Sequence, residues 1–196
     1  MGARGVIMLV AALVLLGLAL FIFDLPRPDS DDMAPNIRKG DLLFACRVCG
    51  APVRGDVVLF TPPDGKGLIV RRVIALPGDT IEVKKGVMLV NGAPLVEVDP
   101  AYTPPFTLAG EPHELTVSVE KNGMHEYRVI RDVTLAPSPD RRPLKLGDEY
   151  FLAADRRTQA KDSRDYGPVA HAAVRSTVLR ILRAGDGDGT RPKRLP

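Results

Sequence analysis

The chain has 196 residues, enough for one domain of ordinary size with a real core and a membrane segment besides. Eighteen prolines, eighteen glycines and many short Val, Ile and Leu runs point to a mainly β, turn-rich body and away from a helical bundle. The net charge is only +3, with Lys and Arg alternating with Asp and Glu and no basic stripe interleaved with aromatics, which argues against nucleic acid as a partner.

Gly5 to Phe23 is an unbroken apolar run of 19 residues. As a helix it would span roughly 28 Å, close to the hydrocarbon thickness of a bilayer. The run is longer than the core of a cleaved secretory signal, and Leu18-Ala19-Leu20 is not a small-x-small cleavage site, so residues 1–23 read as a retained transmembrane signal anchor. Arg4 and the amino terminus precede the run, whereas Asp24, Asp29, Asp31 and Asp32 follow it. That bias places the N-terminus in the cytoplasm and the body outside, as a single-pass protein of the cell membrane.

Residues 24–32 carry too much Pro and Asp for a helix and read as a short extended linker. Strands are expected at Asp41–Cys49, Asp56–Phe60, Leu68–Leu76, Thr80–Lys84 and Val87–Val90, with Asn91-Gly92 as a hairpin turn. The strand through Arg71-Arg72-Val73-Ile74 enters a Pro77-Gly78 turn, with Asp79 placed to bond the turn's backbone. Residues 95–146 are Pro-rich around strands at Glu114–Val119 and Glu126–Val133, which suggests an inserted β/loop cap. Core strands resume at Glu149–Ala153 and Val174–Leu182, so that 24–94 and 147–182 form one antiparallel β core. The tail 183–196 is Gly, Asp and basic residues and reads as disordered, its Asp186-Gly-Asp-Gly too close to the end for a calcium loop.

Four segments, taken in order after the anchor, carry a family resemblance. They are Asp32-Met33-Ala34-Pro35-Asn36-Ile37, Gly55-Asp56-Val57-Val58-Leu59-Phe60, the Arg71–Thr80 run, and Asp162-Ser163-Arg164-Asp165-Tyr166-Gly167-Pro168-Val169. They resemble the motif boxes of type I signal peptidases over residues 28–94 and 147–182, with the stretch Arg71 to Gly92 specific to that family. The resemblance implies an antiparallel β core with an inserted cap on one transmembrane helix. It also implies removal of leader peptides at the outer membrane surface by a Ser nucleophile and a deprotonated Lys, with no cofactor.

The residues that would do that chemistry are replaced. By the resemblance the nucleophile immediately precedes the Met of the first box, where this chain has Asp32, and the general base opens the Arg71 run, where it has Arg71. The hydroxyl that orients the Lys belongs two residues before Asp162, where the chain has Ala160. The surrounding frame matches. Ser30 stands at the oxyanion position, Met33 and Pro35 lie beside the site, and Asp162, Ser163 and Arg164 form the structural triplet that supports it.

Asp32 and Arg71 should meet where Ser and Lys would have met, as a charge-assisted pair in which each makes the other tolerable. An arginine, with a pKa above about 12, cannot act as a base. Two rescues remain open: Ser30 as nucleophile with Lys39, Lys66 or Lys161 as base, or Asp32 sharing a proton with Asp31 or Asp162. Ser163 has no motif behind it as a nucleophile.

Cys46-Arg47-Val48-Cys49 is half a zinc knuckle without a second half, and His113, His125 and His171 are scattered without ligand-like spacing. In an extracytoplasmic body a local Cys46–Cys49 disulfide is favoured, with two free thiols as the alternative. The functional expectation is a membrane protein that binds or escorts extended segments of exported pre-proteins without cutting them. The competing expectations are an active signal peptidase with non-standard groups and a structural partner of an active paralogue.

Overall fold

The computed structural model describes residues 2–65, 67–98 and 115–185. Helix α1, Ala3–Ile22, has no charged residue after Arg4, and none of its side chains is buried by the rest of the protein. It is long and apolar enough to cross a bilayer. The chain leaves it directly into β1, Phe23–Asp24, which pairs with β2, Leu42–Cys46, through Phe23 opposite Cys46 and Asp24 opposite Ala45. The predicted linker is therefore extended but not free. Its Pro26 and Pro28 carbonyls accept from Leu43 and Gly40, so it lies along β2 as a continuation of the sheet edge. Proline lacks a backbone donor, and only its carbonyls take part.

Chain order continues through β3, Val57–Phe60, β4, Ile69–Ala75, β5, Thr80–Lys84, β6, Val87–Val90, and the short β7, Ala93–Pro94. The second half holds β8, Val96–Val98, β9, Leu115–Asn122, β10, His125–Asp132, β11, Arg141–Lys145, and β12, Glu149–Ala153. Helix α2, Ser163–Tyr166, β13, Val169–Ala170, a 3-10 turn, His171–Ala173, and β14, Val174–Arg183, complete the chain's described elements. The main sheet has the order β1-β2-β14-β3-β4-β12-β13, all antiparallel. Apolar side chains cover both of its faces. Val57 and Leu59 pack with Met33, Ile37, Leu43 and Ile181 on one side, while Val58 and Phe60 pack with Val73, Tyr150 and Leu152 on the other. Every residue of β3 is buried as a result.

A smaller sheet, β11-β5-β6-β7, carries Ile81, Val83 and Met88 against Ile74 and Phe151 of the main sheet. The turn that links them is nailed by Asp79, whose carboxylate accepts from the Leu76 amide, from Arg54 and from Asn91. Gly78 supplies the positive φ of +83° that the turn requires.

The insertion is a sheet of order β10-β9-β8, its β9–β10 hairpin paired from His125 opposite Asn122 to Asp132 opposite Leu115. The cap is expected to run to residue 146. Arg141–Lys145 pairs with β5 and belongs to the small core sheet, with Pro143 sitting in the irregularity between Arg141 and Leu144. A strand of Arg-Arg-Pro-Leu-Lys shows no alternation, because its side chains stay largely exposed. β14 runs one residue into the predicted tail, to Arg183. His113, the expected strand start at Glu114, Lys66, and the tail's Asp186-Gly-Asp-Gly fall outside the described residues.

Candidate functional site

Residues Asp31–Ile37 form a turn between the proline segment and β2, closed by the Ala34 amide on the Asp31 carbonyl and the Ile37 amide on the Met33 carbonyl. Met33, Ala34 and Ile37 face inward and are buried, which leaves Asp32 and Pro35 half-buried at the rim. Beneath the turn runs β4, where Arg71 and Arg72 follow one another. Successive strand side chains leave on opposite faces, so the two guanidiniums need separate acceptors.

Arg71 finds its acceptors at the turn. Its Nη2 donates to Asp32 Oδ2 at 2.7 Å and to the Lys161 carbonyl at 2.8 Å; Nε donates to the same carbonyl at 3.0 Å and Nη1 to the Val70 carbonyl at 2.7 Å. The Arg71 side chain is only 6% exposed, whereas that of Asp32 is 31% exposed. The guanidinium is therefore clamped by main chain from below, and the carboxylate covers it from the solvent side.

Arg72 turns towards the cap. Its fork meets Asp155 through Nε–Oδ1 at 2.8 Å and Nη2–Oδ2 at 2.6 Å, with both side chains fully buried. Nη1 donates to the Gly55 carbonyl, and the guanidinium lies 3.9 Å from the centre of the Tyr127 ring.

The remaining predicted positions surround this pair. Ala160 is buried in the same apolar cluster as Met33 and offers only a methyl group. Ser30 is half-buried and lines a cleft of about 140 Å³ with Pro28, Met33, Leu59, Val70 and Arg71. Asp162 caps α2. Its carboxylate is wholly buried and accepts from the Arg164 side chain twice, from the Arg164 amide and from the Ala154 amide. Burial alone would raise its pKa, but those bonds, led by Arg164, hold it below the ordinary 3.8. Ser163 is buried too, its hydroxyl accepting from the Leu152 amide. Asp162, Ser163 and Arg164 are thus fully engaged in holding the 152–162 segment.

The same geometry weighs on the rescues. Asp162 is engaged by Arg164 and the Ala154 amide, and Asp31 accepts from the Lys39 amide. Lys39 and Lys161 are exposed, and it is the main-chain oxygen of Lys161 that faces the site. Cys46 and Cys49 are joined as a disulfide with a Cα–Cα distance of 5.7 Å, closing the turn after β2, which explains why that strand stops at Cys46 rather than at Cys49. Among the described residues no group of three or more His, Cys, Asp or Glu is arranged to hold a metal ion.

Two supporting residues were not anticipated. Asn36 Nδ2 donates to the Arg128 carbonyl at 2.6 Å and to Asp155 Oδ2 at 2.7 Å, tying the site turn both to the cap and to the buried Arg72 pair. The Arg156 amide donates to the Asp32 carbonyl, while its neighbours exchange main-chain bonds with Ile130 of β10. The signal for Asp155 was present in the sequence. Two adjacent arginines in an apolar strand demand two carboxylates, and only one had been assigned.

A family model described as "Signal peptidase, peptidase S26" matches residues 2–182. The chain belongs to that family. Among curated relatives, a probable signal peptidase I-1 of Synechocystis is 39% identical over 102 residues, covering 46% of this chain and 52% of that protein. Signal peptidase I of Pseudomonas aeruginosa is 28% identical over 168 residues, covering 77% of this chain and 58% of its own length. Signal peptidase I V of Bacillus subtilis is 33% identical over 116 residues, covering 59% and 58%. The chain thus spans little more than half the length of these relatives. A crystal structure of a signal peptidase I from Enterococcus faecalis aligns with 24% identity and a TM-score of 0.41, over 65% of this chain and 97% of that one.

Proposed function

We propose that this signal peptidase family member lacks peptidase activity and uses its cleft to bind extended segments of exported pre-proteins at the membrane. In this reading α1 is a single-pass anchor and the body lies on the extracytoplasmic side. The observation that carries the reading is the Asp32–Arg71 contact at 2.7 Å, with Arg71 also clamped by the Lys161 and Val70 carbonyls. Peptide cleavage by this family's chemistry needs a hydroxyl nucleophile and an amine that can lose its proton near neutral pH. A guanidinium with a pKa above about 12 keeps its proton, and a carboxylate paired to it attacks an amide poorly. Ala160 brings no hydroxyl to orient a base. What persists is a cleft of mixed walls, apolar at Met33, Leu59 and Val70 and charged at Arg27, Asp29 and Arg71, which an extended chain can occupy while offering its backbone for pairing.

One observation favours a second reading. Ser30 lines the same cleft as Arg71, so an active peptidase would run through Ser30.

The test is cleavage of a pre-protein by the detergent-solubilised full chain beside its Asp32→Ser/Arg71→Lys/Ala160→Ser variant. The expected outcome is no leader removal by the natural chain and measurable removal by the triple variant. Leader removal by the natural chain, abolished by Ser30→Ala, would replace the proposal with the second reading. Photocrosslinking from position 30 then identifies the occupant. Varied exported chains support the escort role, whereas one constant partner would point to a structural role beside an active paralogue.

A further inference from the structure

The root of α1 carries a second polar site, on the sheet edge away from the Asp32–Arg71 pair. The Arg47 amide donates to the carbonyl of Ile22, the last residue of the helix, so the disulfide-closed turn Cys46–Cys49 is fixed one hydrogen bond from the helix end. Asp24, two residues further on, accepts from Arg47 through Nε at 3.0 Å and Nη2 at 2.5 Å, and from Arg175 of β14 through Nη2 at 3.1 Å. Two guanidiniums thus share one carboxylate. The Asp24 carboxyl is held far below its ordinary range, chiefly by the Arg47 hydrogen bonds and further by Arg175. Each arginine commits Nε and Nη2 to Asp24 and keeps Nη1 without a partner among the described residues.

Beside this cluster lies a cavity of about 310 Å³ lined by Arg47, Pro52, His171, Arg175, Ser176 and Thr177, with no acidic residue in its wall. That volume lies within the roughly 300–1,000 Å³ range of small-molecule sites. The site is net positive, offers a spare guanidinium nitrogen from each arginine, and sits where the apolar helix gives way to the body. If α1 spans the bilayer, this is the depth of the phosphate groups. Phe23 adds an interfacial ring, stacked on Phe44 at 4.7 Å, and the Arg180 guanidinium lies 5.6 Å from the centre of the Phe44 ring.

We propose that the cavity between Arg47, Arg175 and His171 takes the phosphate-bearing headgroup of an anionic phospholipid. The bound headgroup would bridge the disulfide turn and β14 at the helix root and fix the tilt of the sheet over the membrane. Arginine forks match phosphate oxygens bidentately, and the spare Nη1 groups allow that contact without releasing Asp24. The proposal rests on the reading of α1 as a membrane span but not on the absence of peptidase activity.

The experiment is retention of phosphatidylglycerol against phosphatidylcholine by the full chain released from micelles, measured by native mass spectrometry. Phosphatidylglycerol should be retained in preference, and Arg175→Gln should lower its retention about tenfold, the scale of one lost charge-assisted contact. Arg175→Lys should keep most of it, and Arg183→Gln, an exposed arginine further along β14, should change nothing. A phosphatidylglycerol carrying a photoactivatable headgroup should label the Cys46–Pro52 segment of the unsubstituted protein, a readout that needs no variant to fold. Equal retention of the two lipids, undiminished retention by Arg175→Gln, an equal loss in Arg183→Gln, or labelling elsewhere would each overturn the assignment. Inorganic phosphate bound as tightly as the lipid would assign the cavity to a soluble anion and overturn it as well. Failure of the full chain to float with phosphatidylcholine vesicles would instead count against the membrane span, independently of the micelle result.

Discussion

Arg71 and Asp32 form one ion pair with two very different halves. The guanidinium is nearly buried and bonded to two main-chain carbonyls besides the carboxylate, whereas the carboxylate is open to water on one side. Removing each half therefore has unequal consequences. Arg71→Met strips the Lys161 and Val70 carbonyls of their donor but leaves only the water-exposed Asp32 without its counter-charge, at an expected cost of about 1–3 kcal/mol. Asp32→Ala leaves the nearly buried Arg71 guanidinium with neutral carbonyl acceptors and no counter-charge, and the loss should be about 3–5 kcal/mol. Denaturant unfolding of the two variants and the double variant measures both costs and their coupling. Equal costs for the two single variants would contradict the clamp described above. The asymmetry has a functional side. The clamp belongs to the fold, so Arg71 cannot swing away to let a neighbouring lysine approach Asp32's position. If the chain lacks peptidase activity as proposed, restoring it calls for substitution at Arg71 itself.

At the scale of elements, the cap and the core meet through small, specific contacts rather than a broad apolar interface. The β9–β10 hairpin tip rests on Gly55, where an added Cβ would lie 2.4 Å from His125 Cβ, and Gly55 has φ +94°. Gly55→Ala should cost about 1–2 kcal/mol for the backbone conformation alone, with more from displacing the tip. Hydrogen exchange should report the loss first in β9 and β10, and uniform protection in those strands would count against docking at this point. Much of this architecture was legible in the sequence. The main strands announce themselves through Val/Ile/Leu runs bounded by Gly turns, and the Pro-Gly-Asp turn declares its own backbone bonds. Three features were not. β11 lacks alternation because it is an exposed edge, and α2 is only four residues long, stabilised by a reciprocal Asp162/Asp165 cap rather than by periodicity. Asn36 and Asp155 act across 119 residues of sequence, a separation that no local pattern encodes. The Asp32–Arg71 meeting point, by contrast, followed from two substitutions that make electrostatic sense only together.

For the whole molecule, the decisive property is a layer of buried charge laid between core and cap. Arg72–Asp155, Glu120 with Arg157 and Arg131, and Asp162–Arg164 lie side by side in segments that carry or support the site. Burial opposes ionisation of Glu120 and Asp162, yet their arginines overcome it and hold both below their ordinary values of 4.5 and 3.8. Asp79 is shifted the same way by Arg54, the Leu76 amide and Asn91, against its own partial burial. All three carboxylates bind protons less readily folded than unfolded. Their stabilisation is therefore complete above the unfolded values and is lost as pH falls through the lower folded ones. Unfolding temperature should be level from about pH 7 to pH 5 and should then fall continuously below about pH 4. Glu120→Gln should flatten part of that acid slope while lowering stability at neutral pH, because Arg157 and Arg131 would lose their shared counter-charge. An unfolding temperature that stays level to pH 3 would mean that these carboxylates carry no folded-state preference for ionisation. The cap would then have to be held by its few apolar contacts, Ala34 with Val117 and Ile130, and its docking would no longer depend on the charge layer.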